Sequence, residues 1–166
     1  MSLPASVAGR ERARLFCAIR LPEEALDALS DWQARHILGG RPVPRDHLHV
    51  TLAFLGHRPV DELESILTAL REAAAGAGPI RMVPERYRET RSVGMLVLSD
   101  EGGGARRLAE NLHGRLEGLG IYERERAGGD RSDRHGRVVV HLHHGALAEL
   151  PLDVAERGVQ CLLAIH

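Results

Sequence analysis

The stretch Asp46-His47-Leu48-His49-Val50-Thr51-Leu52-Ala53-Phe54-Leu55-Gly56 constrains the fold more than any other part of the chain. His47, His49, Thr51 and Ala53 share one parity, while Leu48, Val50, Leu52 and Phe54 share the other. A period of two marks a strand, because successive strand side chains point to opposite faces. The pattern therefore predicts an apolar face against a core and an opposite face carrying imidazoles and a hydroxyl. Positions two apart lie roughly 6.6–6.8 Å from each other along a strand, so His49 and Thr51 can reach one phosphate-sized group. The plainer alternative is a half-exposed strand whose polar face meets water.

Elements on either side alternate. Residues 1–12 read as a loose tail without the apolar core of a signal peptide, and residues 13–166 as one domain. Leu15-Phe16-Cys17-Ala18-Ile19 reads as a buried strand. Pro22-Glu23-Glu24 starts a helix, with fixed φ and acids at the positive end of the dipole. That helix sends Leu26, Leu29, Trp32 and Ile37 inward, leaves His36 solvated and stops at Gly39-Gly40. Arg41-Pro42-Val43-Pro44-Arg45 is extended, since proline restricts itself and the residue before it.

Pro59 opens a second helix with Val60, Leu63, Leu67, Leu70 and Ala74 at helical spacing. A short strand near Ile80–Val83 and another over Val93–Leu98 come next. Asp100-Glu101-Gly102-Gly103-Gly104 reads as a turn, because it lacks the Lys-Ser/Thr or the glycine spacing of a nucleotide loop. A third helix over Ala105–Leu119 places Leu108, Leu112, Leu116 and Leu119 inward. Strands and helices in two successive groups give an α+β or mixed α/β chain, with two related lobes as one arrangement.

Composition narrows the function classes. A formal charge of -1 argues against tight, sequence-independent nucleic-acid binding through many phosphates. The 22 basic residues are all arginine, a bias expected of GC-rich coding. Cys17 and Cys161 sit in apolar runs and are expected as buried thiols. No run approaches the roughly 18 apolar residues of a membrane span, so a cytoplasmic, membrane-independent protein is the expectation; a monomer is expected as well.

The series Arg14 to Pro22 with its helix, Arg41-Pro42-Val43-Pro44 leading into His49-Val50-Thr51-Leu52-Ala53-Phe54-Leu55-Gly56, and the Pro59 helix resembles the 2H phosphoesterase superfamily. The nearest branch is the LigT-like RNA 2′,3′-cyclic phosphodiesterases, also called 2′-5′ RNA ligases. The resemblance covers residues 13 to 125. It implies an α+β, bilobal fold, two antiparallel-sheet lobes with outer helices around a central cleft. Each lobe would give one His-x-Thr/Ser strand to that cleft. It also implies no metal or other cofactor, RNA ends or cyclic nucleotides as substrate, and hydrolysis to a 2′-phosphate. One imidazole would act as base and the other would protonate the leaving ribose oxygen, while the two hydroxyls hold the phosphate. An unperturbed histidine pKa of about 6.5 lets one ring be neutral and the other charged near neutrality.

The second half-site departs from the pattern. Residues 126–166 contain no His-x-Thr or His-x-Ser. The nearest substitute is Val138 to His144, whose alternation sets His141 and His143 on one face with Val139. His141 is then the expected second catalytic histidine beside His49, and His143 takes the hydroxyl's place opposite Thr51 as a phosphate-binding residue. His135 is a weaker candidate, since Gly136-Arg137 does not read as strand. The cluster His141-Leu142-His143-His144 could also gather a metal ion, but no cysteine or acidic spacing completes a ligand set. Arginine and histidine become frequent from about Ala127, the mark a shifted reading frame leaves in a GC-rich gene; an intact frame on re-sequencing would remove that explanation. Arg45 and Arg137 are candidates to steer phosphate, His47 to border the cleft and His57 to lie outside the chemistry. A second reading, from another class, is a lapsed binder of RNA ends or nucleotides that keeps one half-site.

Overall fold

A computed structural model describes residues 11–39, 41–89, 94–123, 137–142, 154–156 and 161–165; for the last three segments the backbone alone is considered. Chain order is β1 (Arg12–Arg20), α1 (Glu23–His36), β2 (His49–Pro59), α2 (Leu63–Ala75), β3 (Ile80–Glu89), β4 (Gly94–Glu101), α3 (Gly104–Gly118), β5 (Arg137–Leu142), β6 (Val154–Glu156) and β7 (Cys161–Ile165). Short 3-10 turns at Arg45–His47 and Val60–Glu62 precede β2 and α2. The strands run β6-β3-β4-β5-β2-β1-β7, and every pairing is antiparallel. A single register pair, Val50 with Val140, joins β2 to β5 at the centre. Two antiparallel halves result, β7-β1-β2 and β5-β4-β3-β6, and the fold is α+β as the sequence implied.

Apolar residues of β1, β2, β4 and the three helices fill one core. Its largest fully buried members include Trp32, Leu15, Leu26, Ile66, Leu98, Leu112, Leu116 and Val50. Side chains of this size contribute roughly 1.5–3 kcal/mol each on burial, so the expected inward positions of α1 carry much of the fold. Leu26, Leu29, Trp32 and Ile37 are all buried. Asp100 belongs to the end of β4 and anchors α3: its carboxylate accepts from the N–H groups of Ala105 (3.2 Å) and Arg106 (2.9 Å). Gly102 and Gly103 make the turn between them at φ of 78° and 70°, a left-handed region that costs other residues strain.

Several expectations change on contact with tertiary structure. The 3-10 turn after Pro59 delays α2 to Leu63, so its buried stripe is Ile66, Ala69, Leu70 and Ala73, and Val60 is exposed. Leu119 lies past the end of α3 and is exposed. His36 is not simply solvated: its Nδ1–H donates to the Trp32 carbonyl at 2.8 Å, and its ring stacks on the indole. β3 continues to Glu89 because it pairs with β4 from Arg81 to Glu89, through a shift between Pro84 and Arg86. Strand β1 begins at Arg12, inside the expected tail, where Arg12 donates to the His57 carbonyl.

Candidate functional site

The cleft forms on the outer face of β2 and β1, opposite the core. Val50 and Leu52 are buried, while His49 is half-buried and Thr51 exposed, as the alternation predicts. Beyond Thr51 the alternation breaks. Cys17 pairs with Ala53 and Ala18 with Thr51, so Leu52 is an extra residue; Leu15 pairs with Gly56 and Phe16 with Phe54, so Leu55 is another. Each such bulge inserts one residue and re-aims the side chains beyond it. Ala53 is therefore buried, and Phe54, expected in the core, is 53% exposed on the cleft side.

A cleft of about 510 Å³ results, lined on the sheet side by Arg14, Phe16, His49, Thr51 and Phe54. The Arg41–Pro44 connector and His47 form its other wall. The His49 ring stacks on Phe16 at 4.7 Å between centroids. Its Nδ1 lies 2.5 Å from the His47 carbonyl oxygen. A carbonyl only accepts, so Nδ1 carries the proton and donates, which makes Nε2 the basic nitrogen of the neutral ring.

The connector is held from α1. Gln33, 2% exposed, donates to the Val43 carbonyl (3.1 Å) and accepts from the Val43 N–H (3.0 Å). Arg45 reaches Glu23 and Asp27, both at 2.7 Å. These bonds to Arg45 hold the Glu23 carboxyl below its usual range, the hydrogen bond being the larger cause and the charge the next. Arg45 is thus a brace for the turn ahead of β2 and does not line the cleft, contrary to the expectation that it steers phosphate. The guanidiniums that do line it are Arg14 and Arg41. Neither has a carboxylate partner among the described residues, and Arg14 sits 5.1 Å over the Phe54 ring. No acidic side chain among the described residues lines this cleft, so the local field suits an anion although the whole chain is nearly neutral.

Strand parity could have revealed Arg14 and Phe16, which alternate with buried Leu15 and Cys17; Phe54 depended on the bulges. His47 borders the cleft as expected, and His57 is exposed outside it. His141 lies on β5 at the register position of Met95. On its other side β5 meets β2 at one register pair, Val50 with Val140, so His49 and His141 are each the next residue along from that pair. His143 and His135 lie outside the described residues, and Arg137 is placed only as the register partner of Ser99. No described helix is long and apolar enough to cross a membrane.

Known proteins resemble this arrangement. The family described as LigT like phosphoesterase matches residues 19–88. An RNA 2′,3′-cyclic phosphodiesterase of Thermus thermophilus is 44% identical over 70 residues, covering 41% of this chain and 35% of that protein. One of Escherichia coli is 52% identical over 48 residues, covering 28% of this chain and 27% of that protein. The aligned stretches thus span about a third or less of these relatives. In fold the likeness is wider: the crystal structure of E. coli LigT with NADP+ superposes with a TM-score of 0.66 at 22% identity, covering 93% of this chain and 88% of that one. LigT has also been crystallised with 3′-AMP.

Proposed function

The chain is LigT-like over residues 19–88 and in fold, and from that premise we propose that it hydrolyses RNA 2′,3′-cyclic phosphate ends to 2′-phosphates without a metal. The observation that carries the reading is the cleft that His49 and Thr51 line together with Arg14 and Arg41 and, among the described residues, with no acid. The names of the relatives that align with this segment agree with it.

In the proposed reaction the cyclic phosphate sits against the Thr51 hydroxyl, with Arg14 and Arg41 drawing the anionic substrate into the cleft and offsetting the charge that builds up as water bonds to phosphorus. Nε2 of His49 takes a proton from water as the water oxygen bonds to phosphorus. The bond from phosphorus to the ribose 3′ oxygen breaks, and a second imidazole protonates that oxygen, leaving a 2′-phosphate and a 3′-hydroxyl. His141 is the proposed second imidazole, supported by its place next to Val140, the register partner of Val50 beside His49. His143 is proposed as the second phosphate contact. Neutral donors such as Thr51 stabilise the charge that develops on the phosphoryl oxygens.

The test is incubation of the full chain with a short RNA ending in a 2′,3′-cyclic phosphate, in EDTA, with the product read by phosphorus NMR. A 2′-phosphomonoester formed by wild type, and lost in His49→Ala, is the expected result. A folded, inert wild type that still binds the RNA end would replace the enzyme reading with that of a lapsed binder.

A further inference from the structure

Besides its apolar packing in the shared core, α3 reaches the site strand with a polar side chain. Nε2 of His113 lies 2.8 Å from the carbonyl oxygen of Leu52, which is 61 positions earlier in the chain. Leu52 is the extra residue of the bulge between Thr51 and Ala53, and the extra residue of a bulge has no ladder partner of its own. A buried carbonyl without a donor costs about 1–3 kcal/mol, and Leu52 is 8% exposed. His113 supplies the donor. Its ring is itself fixed by stacking on Tyr122 at 4.6 Å and 22°, and Tyr122 lies just past the end of α3, where its N–H meets the Leu116 carbonyl.

We propose that His113 is a positioning residue for the cleft, holding from the core side the bulge that turns Thr51 and Phe54 to the same outer face. The sequence motif would be unchanged without it, but Thr51 would then be followed by a carbonyl with no partner and a strand able to slip. A one-residue slip moves every later side chain to the other face. His113 never meets substrate. The Leu52 carbonyl only accepts, so Nε2 carries the proton and donates, and the effect of the bond is geometric.

The proposal rests on the phosphodiesterase reading of the cleft, and its test separates the two. His113→Phe keeps a flat ring for Tyr122 and removes the donor, whereas His113→Gln offers an amide N–H. In the full chain, His113→Phe is expected to lower kcat about tenfold with KM within about twofold, as misplacement of a catalytic contact does. His113→Gln is expected to restore most of that loss. Amide exchange over residues 51–54 should quicken at least about fivefold in the phenylalanine variant while the melting transition stays cooperative. Unchanged kcat, or a loss that tracks only melting temperature and is not restored by glutamine, overturns the proposal. If wild type is inert on the cyclic end, the phosphodiesterase reading fails, and exchange alone decides: faster exchange in His113→Phe supports the bulge role and unchanged protection overturns it.

Discussion

At His49 a single backbone carbonyl makes the two ring nitrogens unequal. The His47 oxygen takes Nδ1–H, and Phe16 holds the ring plane, so Nε2 is presented with a defined direction. Replacing His49 with alanine is expected to lower kcat roughly 10²–10⁴-fold, the usual worth of a positioned acid or base, with little change in melting temperature because the site lies outside the core. Arg14→Gln and Arg41→Gln are expected to raise KM several-fold and to weaken its salt dependence, since their charges act across a water-filled cleft; steady-state kinetics at two ionic strengths check this. The outward face shared by His49 and Thr51 is legible in the sequence because strand parity is a local signal, and Val50 and Leu52 between and beside them are buried. The role of Arg45 is not, because its partners, Asp27 and Glu23, are 18 and 22 positions away, and only the packing of α1 brings them near. Phe54 is hidden for a similar reason: its face is set by bulges opposite β1, and a bulge leaves no mark in the parity of one strand.

Among the elements, the connector between α1 and β2 decides the shape of the cleft. Gln33 mimics a strand partner for Val43 by using both ends of its amide. Gln33→Leu leaves a backbone N–H and a carbonyl without those bonds, and is expected to destabilise the protein by about 2–4 kcal/mol and to raise KM; chemical denaturation and kinetics together would report both. A smaller loss than about 1 kcal/mol would mean that water replaces the amide. The Arg45 brace is instead sensitive to acid. Glu23 has its pKa depressed in the fold from 4.5, so its contribution is present above that value and disappears as pH falls through the lowered one. Stability measured from about pH 6 down to about pH 3 should therefore fall less steeply in Glu23→Gln than in wild type. Gly56, at φ of 68° beside the second bulge, sets the last turn of the strand face, and Gly56→Ala should cost about 1–2 kcal/mol.

Across the whole molecule, two antiparallel halves meet where Val50 pairs with Val140, and the proposed chemistry depends on that meeting. The number and order of helices, the strands on either side of them and the α+β class are legible because hydrophobic periodicity and glycine or proline stops are local signals. The strand order is not, since the placement of β5 between β4 and β2 joins residues some ninety positions apart; the resemblance to the 2H phosphoesterases implies two antiparallel lobes but no order of strands. The proposed second half-site rests in the sequence only on an alternation around His141, without the hydroxyl that accompanies His49. The most direct measurement is the pH dependence of kcat/KM for cyclic-phosphate-ended RNA in EDTA, for wild type, His49→Ala and His141→Ala. A bell-shaped profile for wild type, with both variants reduced by roughly 10²-fold or more, is the predicted result. A His141→Ala variant with the wild-type rate and profile would contradict the paired-histidine account.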